Sequence, residues 1–177
     1  MAPYEYDLDP VTFLTVGTVG PPGQRTFYLQ GSQSRTTVTV IIEKEHAAAL
    51  AVSIDRLLGA LAERDPRGSA ADAEELSVNM DLLTPVRPAF RCGQIGLGVD
   101  EDRDMVVLVV EEQVDEDAGD EGRKARFVAT FDQMVTLSRH ALDVVNAGRP
   151  TCELCGQPIG PDGHFCARRN GHPPSDL

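Results

Sequence analysis

The hydrophobic pattern changes period partway along the chain, and it does so twice. Thr37-Val38-Thr39-Val40-Ile41-Ile42 is rich in β-branched residues and partly alternates, which suits a half-buried strand. It runs straight into Leu50, Ile54, Leu57, Leu58 and Leu61, whose three- and four-residue spacing predicts one apolar helix face over about 45–63. The same succession returns downstream. A strand around Phe127 leads into Met134, Leu137, Ala141, Val144 and Val145, again at helical spacing. Thr130 and Gln133 stand at capping-box spacing before this second helix, and Gly148 with Pro150 marks its stop.

The elements upstream of each helix also correspond. Leu14-Thr15-Val16-Gly17-Thr18-Val19-Gly20 matches Phe90-Arg91-Cys92-Gly93-Gln94-Ile95-Gly96 at an offset of 76 residues. A second apolar strand follows in each, over 26–30 and 105–110. Val40 with Phe127, Leu50 with Leu137, Ile54 with Ala141 and Leu57 with Val144 then pair at an offset of 87, so 11 residues enter the second copy. The acidic stretch 113–124 is the natural place for them, as a loop between strands. These correspondences predict an internally duplicated β-β-β-α unit.

Two such units build an α+β domain, with one mainly antiparallel sheet, both helices on one face and a pseudo-twofold between the halves. The domain covers 1–147, with repeat one at about 11–63, a connector at 64–88 and repeat two at about 89–147. Within the connector, 72–83 reads as a short helix. The remaining 148–177 form a separate C-terminal element.

Composition narrows the function. The 177 residues are enough to bury a core without cross-links. The formal net charge of -12 repels phosphate backbones and anionic headgroups, which argues against nucleic acid and membrane as partners. The start has no basic and apolar leader pattern, and no apolar run is long enough to span a bilayer, so a cytoplasmic protein is expected. Four cysteines, three of them near the C-terminus, point in a reducing compartment to metal rather than disulfides.

Those three cysteines carry the clearest chemistry in the chain. Cys152 and Cys155 form C-x2-C followed at once by Gly156, a zinc-knuckle composition in which both sulfurs face one ion and the glycine permits the tight turn. Cys166 follows, flanked by His164 and His172. Three thiolates and one imidazole complete a tetrahedral Cys3His site. His164 is the favoured fourth ligand and His172 the alternative. Four protein ligands close a zinc site, so the expected Zn2+ is structural, and its binding would stabilise an element too small to fold alone. Reversible disulfide chemistry at Cys152 and Cys155 is the competing reading of the same pair.

Other constellations have simpler explanations. Asp100, Asp102, Asp104 and Glu111 imitate a calcium loop, but Met105 stands where the turn needs glycine, so a charged hairpin turn is expected. Gly17, Gly20, Gly93 and Gly96 open no helix as a phosphate loop must, and read as turns or bulges. His46 and His140 read as helix surface, and Cys92 as a small buried hydrophobe. Arg25, Tyr28 and Gln30 form a polar strip able to contact a ligand. No catalytic set can be assembled from spacing.

Taken together, Gly23-Gln24-Arg25-Thr26-Phe27-Tyr28-Leu29-Gln30, Gly93-Gln94-Ile95-Gly96-Leu97-Gly98-Val99-Asp100, Gly148-Arg149-Pro150, the C-x2-C-G run and Gly163-His164-Phe165-Cys166 resemble an uncharacterised actinobacterial family, domain of unknown function 3090. The resemblance covers nearly the whole chain and implies no established activity. Its typical G-H-x-C element favours His164 as a ligand. Members are often encoded near phosphomutase-like and kinase-like proteins. The leading expectation is a zinc-stabilised accessory or protein-interaction module without its own catalysis, working with a protein partner. The alternative is an enzyme or enzyme subunit acting on a phosphorylated small molecule, in a pocket between the repeats near Arg25 and Arg91.

Overall fold

The computed structural model describes residues 3–115, 117, 119–157, 159–160 and 163–169. Its elements are β1 (Tyr6–Leu8), β2 (Phe13–Val19), β3 (Thr26–Gln33), β4 (Thr36–Ile42), α1 (Lys44–Arg64), β5 (Pro88–Asp100), β6 (Met105–Glu112), β7 (Lys124–Thr130) and α2 (Phe131–Asn146). One seven-stranded sheet runs in the order β1-β7-β6-β5-β4-β3-β2. Neighbours are antiparallel except β1 with β7 and β4 with β5, which are parallel. The expected α+β class, the mainly antiparallel sheet and the two helices are all present.

From β2 onward the order β-β-β-α runs twice. Paired positions agree in burial: Leu14 and Phe90, Val16 and Cys92, Val40 and Phe127, and Leu50 and Leu137 are all buried. In the sheet β2, β3 and β4 stand in the same order as β5, β6 and β7, a shift of three strands. The parallel β4–β5 junction follows from that shift, because the third strand of one half and the first of the next then point the same way.

Each strand presents a buried face to the helices. Leu14, Val16, Leu29, Val40, Ile42, Val106, Leu108, Val110 and Phe127 meet Leu50, Ile54, Leu58, Met134, Leu137 and Ala141 in one core. The sheet is strongly curved. The Phe127 ring of β7 lies where a Cβ on Gly31 of β3 would stand. Residues between β1 and β2 tie the two ends, with Val11 N–H donating to Val128 O and Thr12 N–H to Ser32 O. At the start of α2 the capping box is formed: the Thr130 hydroxyl accepts from Gln133 N–H, and the Gln133 side chain accepts from Thr130 N–H.

The connector corrects one expectation, since 72–83 forms no helix. It is an extended strap, because its backbone groups find partners far away in sequence instead of four residues along. Leu76 N–H donates to Thr136 Oγ1 of α2, the Thr15 hydroxyl donates to Met80 O, and Leu83 N–H donates to Gln30 Oε1. Gln30, fully buried, also donates to Leu83 O and Thr39 Oγ1. The strap thus covers the outer face of β2 and β3, and Gly17 leaves the room that the Leu82 side chain takes.

Candidate metal centre

Downstream of α2 the chain turns on itself in two short bends. Cys152 N–H donates to Gln157 O, Gly156 N–H donates back to Cys152 O, and Ile159 N–H donates to Pro150 O. Gly156 has φ +71, a left-handed conformation that glycine adopts without cost from a Cβ. The second bend uses Gly163, at φ +83, whose N–H donates to Gly160 O. Each bend therefore delivers two ligand-type side chains from one tight turn, Cys152 and Cys155 from the first, His164 and Cys166 from the second.

The four ligand atoms converge, all within 4.8 Å of one another. Cys152 Sγ is 3.9 Å from Cys166 Sγ, and Cys155 Sγ is 3.2 Å from His164 Nε2. A tetrahedral zinc with Zn–S of about 2.3 Å and Zn–N of about 2.0 Å sets two sulfurs about 3.8 Å apart and sulfur to nitrogen about 3.5 Å apart. The observed edges fit that cage. They do not fit a disulfide, whose sulfurs lie about 2.05 Å apart, and all four cysteines are free thiols. The residues could therefore hold a metal ion.

Local electrostatics favour one thiolate in particular. The backbone N–H of Cys155, then that of Leu154, hold the Cys152 thiol below its ordinary range. Gln157 N–H acts in the same sense on Cys155, but desolvation and the adjoining sulfurs of Cys152 and Cys166 outweigh it and raise that thiol. Cys152 and Cys166 are buried and His164 is half-buried. Arg168 Nη1 donates to Leu154 O, joining the segment after Cys166 to the first bend. His172, the alternative ligand, lies outside the described residues.

Other positions singled out in the sequence serve the fold. Arg25 donates to Val144 O at the C-terminal end of α2 and lies over the Phe27 ring. Arg91 pairs with Glu43. Tyr28 is half-buried, and Gln30 of β3 holds the strap through Leu83. His46 Nδ1 accepts Glu43 N–H at the start of α1, and His140 is half-buried on α2. Burial, then the nearby Glu43, pushes the Cys92 thiol up to about 11, as suits an unreactive core residue. Asp100 and Met105 pair across the β5–β6 turn, leaving Glu111 at the far end of β6 beside Lys124. Gly17 and Gly93, paired in the sequence comparison, differ in use: Gly17 seats Leu82, whereas Gly93 sits at the β5 bulge, where a Cβ would come within 2.9 Å of the Gln113 backbone.

Fold and site together describe a mixed α+β protein with a Cys/His cluster able to hold a metal ion beyond its second helix. The family model described as "Protein of unknown function (DUF3090)" matches residues 6–166. The chain belongs to that family, and the match ends on Cys166, within the cluster. No curated protein and no solved structure matches. Among the described residues, no helix is long and apolar enough to cross a membrane.

Proposed function

We propose that this protein is a non-catalytic accessory module in which a structural zinc ion, held by Cys152, Cys155, His164 and Cys166, fixes a C-terminal surface for contact with another protein. The supporting observation is where the bends place their intervening residues. Phe165, between His164 and Cys166, is 79% exposed, and Leu154, between Cys152 and Cys155, is 43% exposed. A large aromatic held outward by two ligand residues gains nothing for the fold, whereas such residues are common anchors in interfaces. Residues 148–177 then act as a zinc-dependent element attached to an independently folded body over 1–147. The acidic body, and the balance of Arg149, Arg168 and Arg169 against Glu153, Asp162 and Asp176 in the C-terminal element, favour a protein partner over nucleic acid.

A photo-crosslinking residue placed at position 165 in the native host tests this reading. One dominant protein adduct that disappears in a Cys155→Ser background supports it. No adduct, or the same adducts after Cys155→Ser, would overturn it. The alternative, an enzyme acting on a phosphorylated small molecule, needs a cationic cleft, and Arg25 and Arg91 are each engaged elsewhere.

A further inference from the structure

Strand β5 is much longer than the neighbour on one of its sides. β4 pairs with it only from Pro88 to Arg91, while β6 pairs with it from Cys92 to Asp100. Among the described residues, the second half of β5 therefore has one edge without a strand partner. Unpaired edges are usually blunted by charge or proline. Here the run Cys92-Gly93-Gln94-Ile95-Gly96-Leu97-Gly98-Val99 contains neither.

Helix α1 continues from β4 and runs beside this edge. At its first turns, His46, Ala49, Leu50 and Ser53 face Gly93, Gln94, Ile95 and Leu97 across a cleft of about 310 Å³. At its end, Leu61 and Arg64 share a second cleft of about 190 Å³ with Val99 and Glu101. From His46 to Leu61 the helix advances roughly 23 Å at about 1.5 Å per residue. From Gly93 to Val99 the strand advances roughly 20 Å at about 3.3 Å per residue. The two clefts therefore lie at either end of the same strand edge, each with α1 as its other wall. Consecutive residues of a strand point to opposite faces, so a cleft touching both Gln94 and Ile95 follows the edge itself. Leu50, Ile95 and Leu97 supply an apolar floor. His46 is already an acceptor at Nδ1, so its Nε2 carries the proton in the neutral ring and is a donor.

The charge at the far end selects the occupant. Asp65, Glu101 and Asp104 line it against a single cation, Arg64, which is bonded to Glu101. A second copy of a chain with net charge -12 is repelled from such a place. We propose that the seam between α1 and β5 binds an extended segment of a partner protein. That segment adds a strand to the free edge of β5, sets apolar side chains on Leu50, Ile95 and Leu97, and directs a Lys or Arg toward Asp65, Glu101 and Asp104. Main-chain hydrogen bonds along the edge supply affinity and the alternate side chains supply selectivity. The seam owes nothing to the metal cluster, so Cys155→Ser chain should bind as the wild type does.

The test is a displayed library of short random peptides selected on the full-length protein, followed by calorimetric titration of one enriched peptide. The enriched sequences should alternate apolar residues and carry a basic residue at one end. Ala49→Trp, which fills the cleft, should weaken binding by about tenfold or more, while Val52→Trp, on the exposed side of the same helix, should leave it unchanged. Hydrogen exchange at 94–99 should slow when the peptide is added to the wild-type protein, a readout independent of either variant. Three results would overturn the proposal: no enrichment, binding indifferent to Ala49→Trp, or protection of 94–99 that rises with protein concentration alone.

Discussion

Replacing Gln30 by Leu keeps a side chain of broadly similar size and removes its hydrogen-bonding atoms, so it probes what holds the strap to the sheet. Gln30 is fully buried and makes three hydrogen bonds: Nε2 to Leu83 O at 3.1 Å, Nε2 to Thr39 Oγ1 at 3.0 Å, and Leu83 N–H to Oε1 at 2.7 Å. Each is worth about 1 kcal/mol net, and a buried group left unpaired costs about 1–3 kcal/mol. Leu83 is 44% exposed, so its backbone can recover water by lifting away, which caps the loss at about 2–3 kcal/mol. At about 2–4 °C per kcal/mol for a chain of this size, the midpoint falls by about 4–12 °C. Hydrogen exchange at 76–84 should accelerate in the variant while α1 stays protected. A midpoint within about 1 °C of wild type, with unchanged exchange over the strap, would refute the reasoning and place its anchorage elsewhere.

Other substitutions probe separate parts of the structure. Gly93→Ala drives a Cβ against the Gln113 backbone and should cost about 1–3 kcal/mol, read from urea unfolding, because backbone cannot yield as a side-chain end can. Acid should weaken the β6–β7 end. Bonding to Arg123 holds Glu112 down at about 2 from an ordinary 4.5, so its contribution is complete above pH 4.5 and is lost as pH falls toward 2. A pH series of melts should show that decline in the wild type and a smaller one in Glu112→Gln. Phe165→Ser should change neither midpoint nor metal content, since the ring is almost wholly in solvent.

What the sequence disclosed was what short-range physics determines. The period change at Thr37–Leu61, the Thr130 and Gln133 cap, and the C-x2-C-G run each act within a few residues, and the structure carries all three. The strap did not show itself, because Leu76 and Leu83 are held out of a helix by Thr136 and Gln30, 60 and 53 residues away. β1 was missed for a related reason. Its three residues are too few to display a period, and they form a strand only through parallel pairing with β7. The recurring order of strand and helix patterns pointed to the elements of each half but left their relation open, since the parallel β4–β5 junction is a long-range pairing that no local pattern encodes. At the Cys/His cluster, spacing pointed to the cysteines, whereas bringing His164 to Cys155 depends on the bend at Gly163.

Elemental analysis of protein purified without chelator, on the wild type and on His164→Ala and His172→Ala, tests the central claim most directly. The account predicts about one zinc per chain, retained in His172→Ala and largely lost in His164→Ala, with the main thermal transition unmoved in both. Zinc absent from the wild type, or retained in full after His164→Ala, would contradict it.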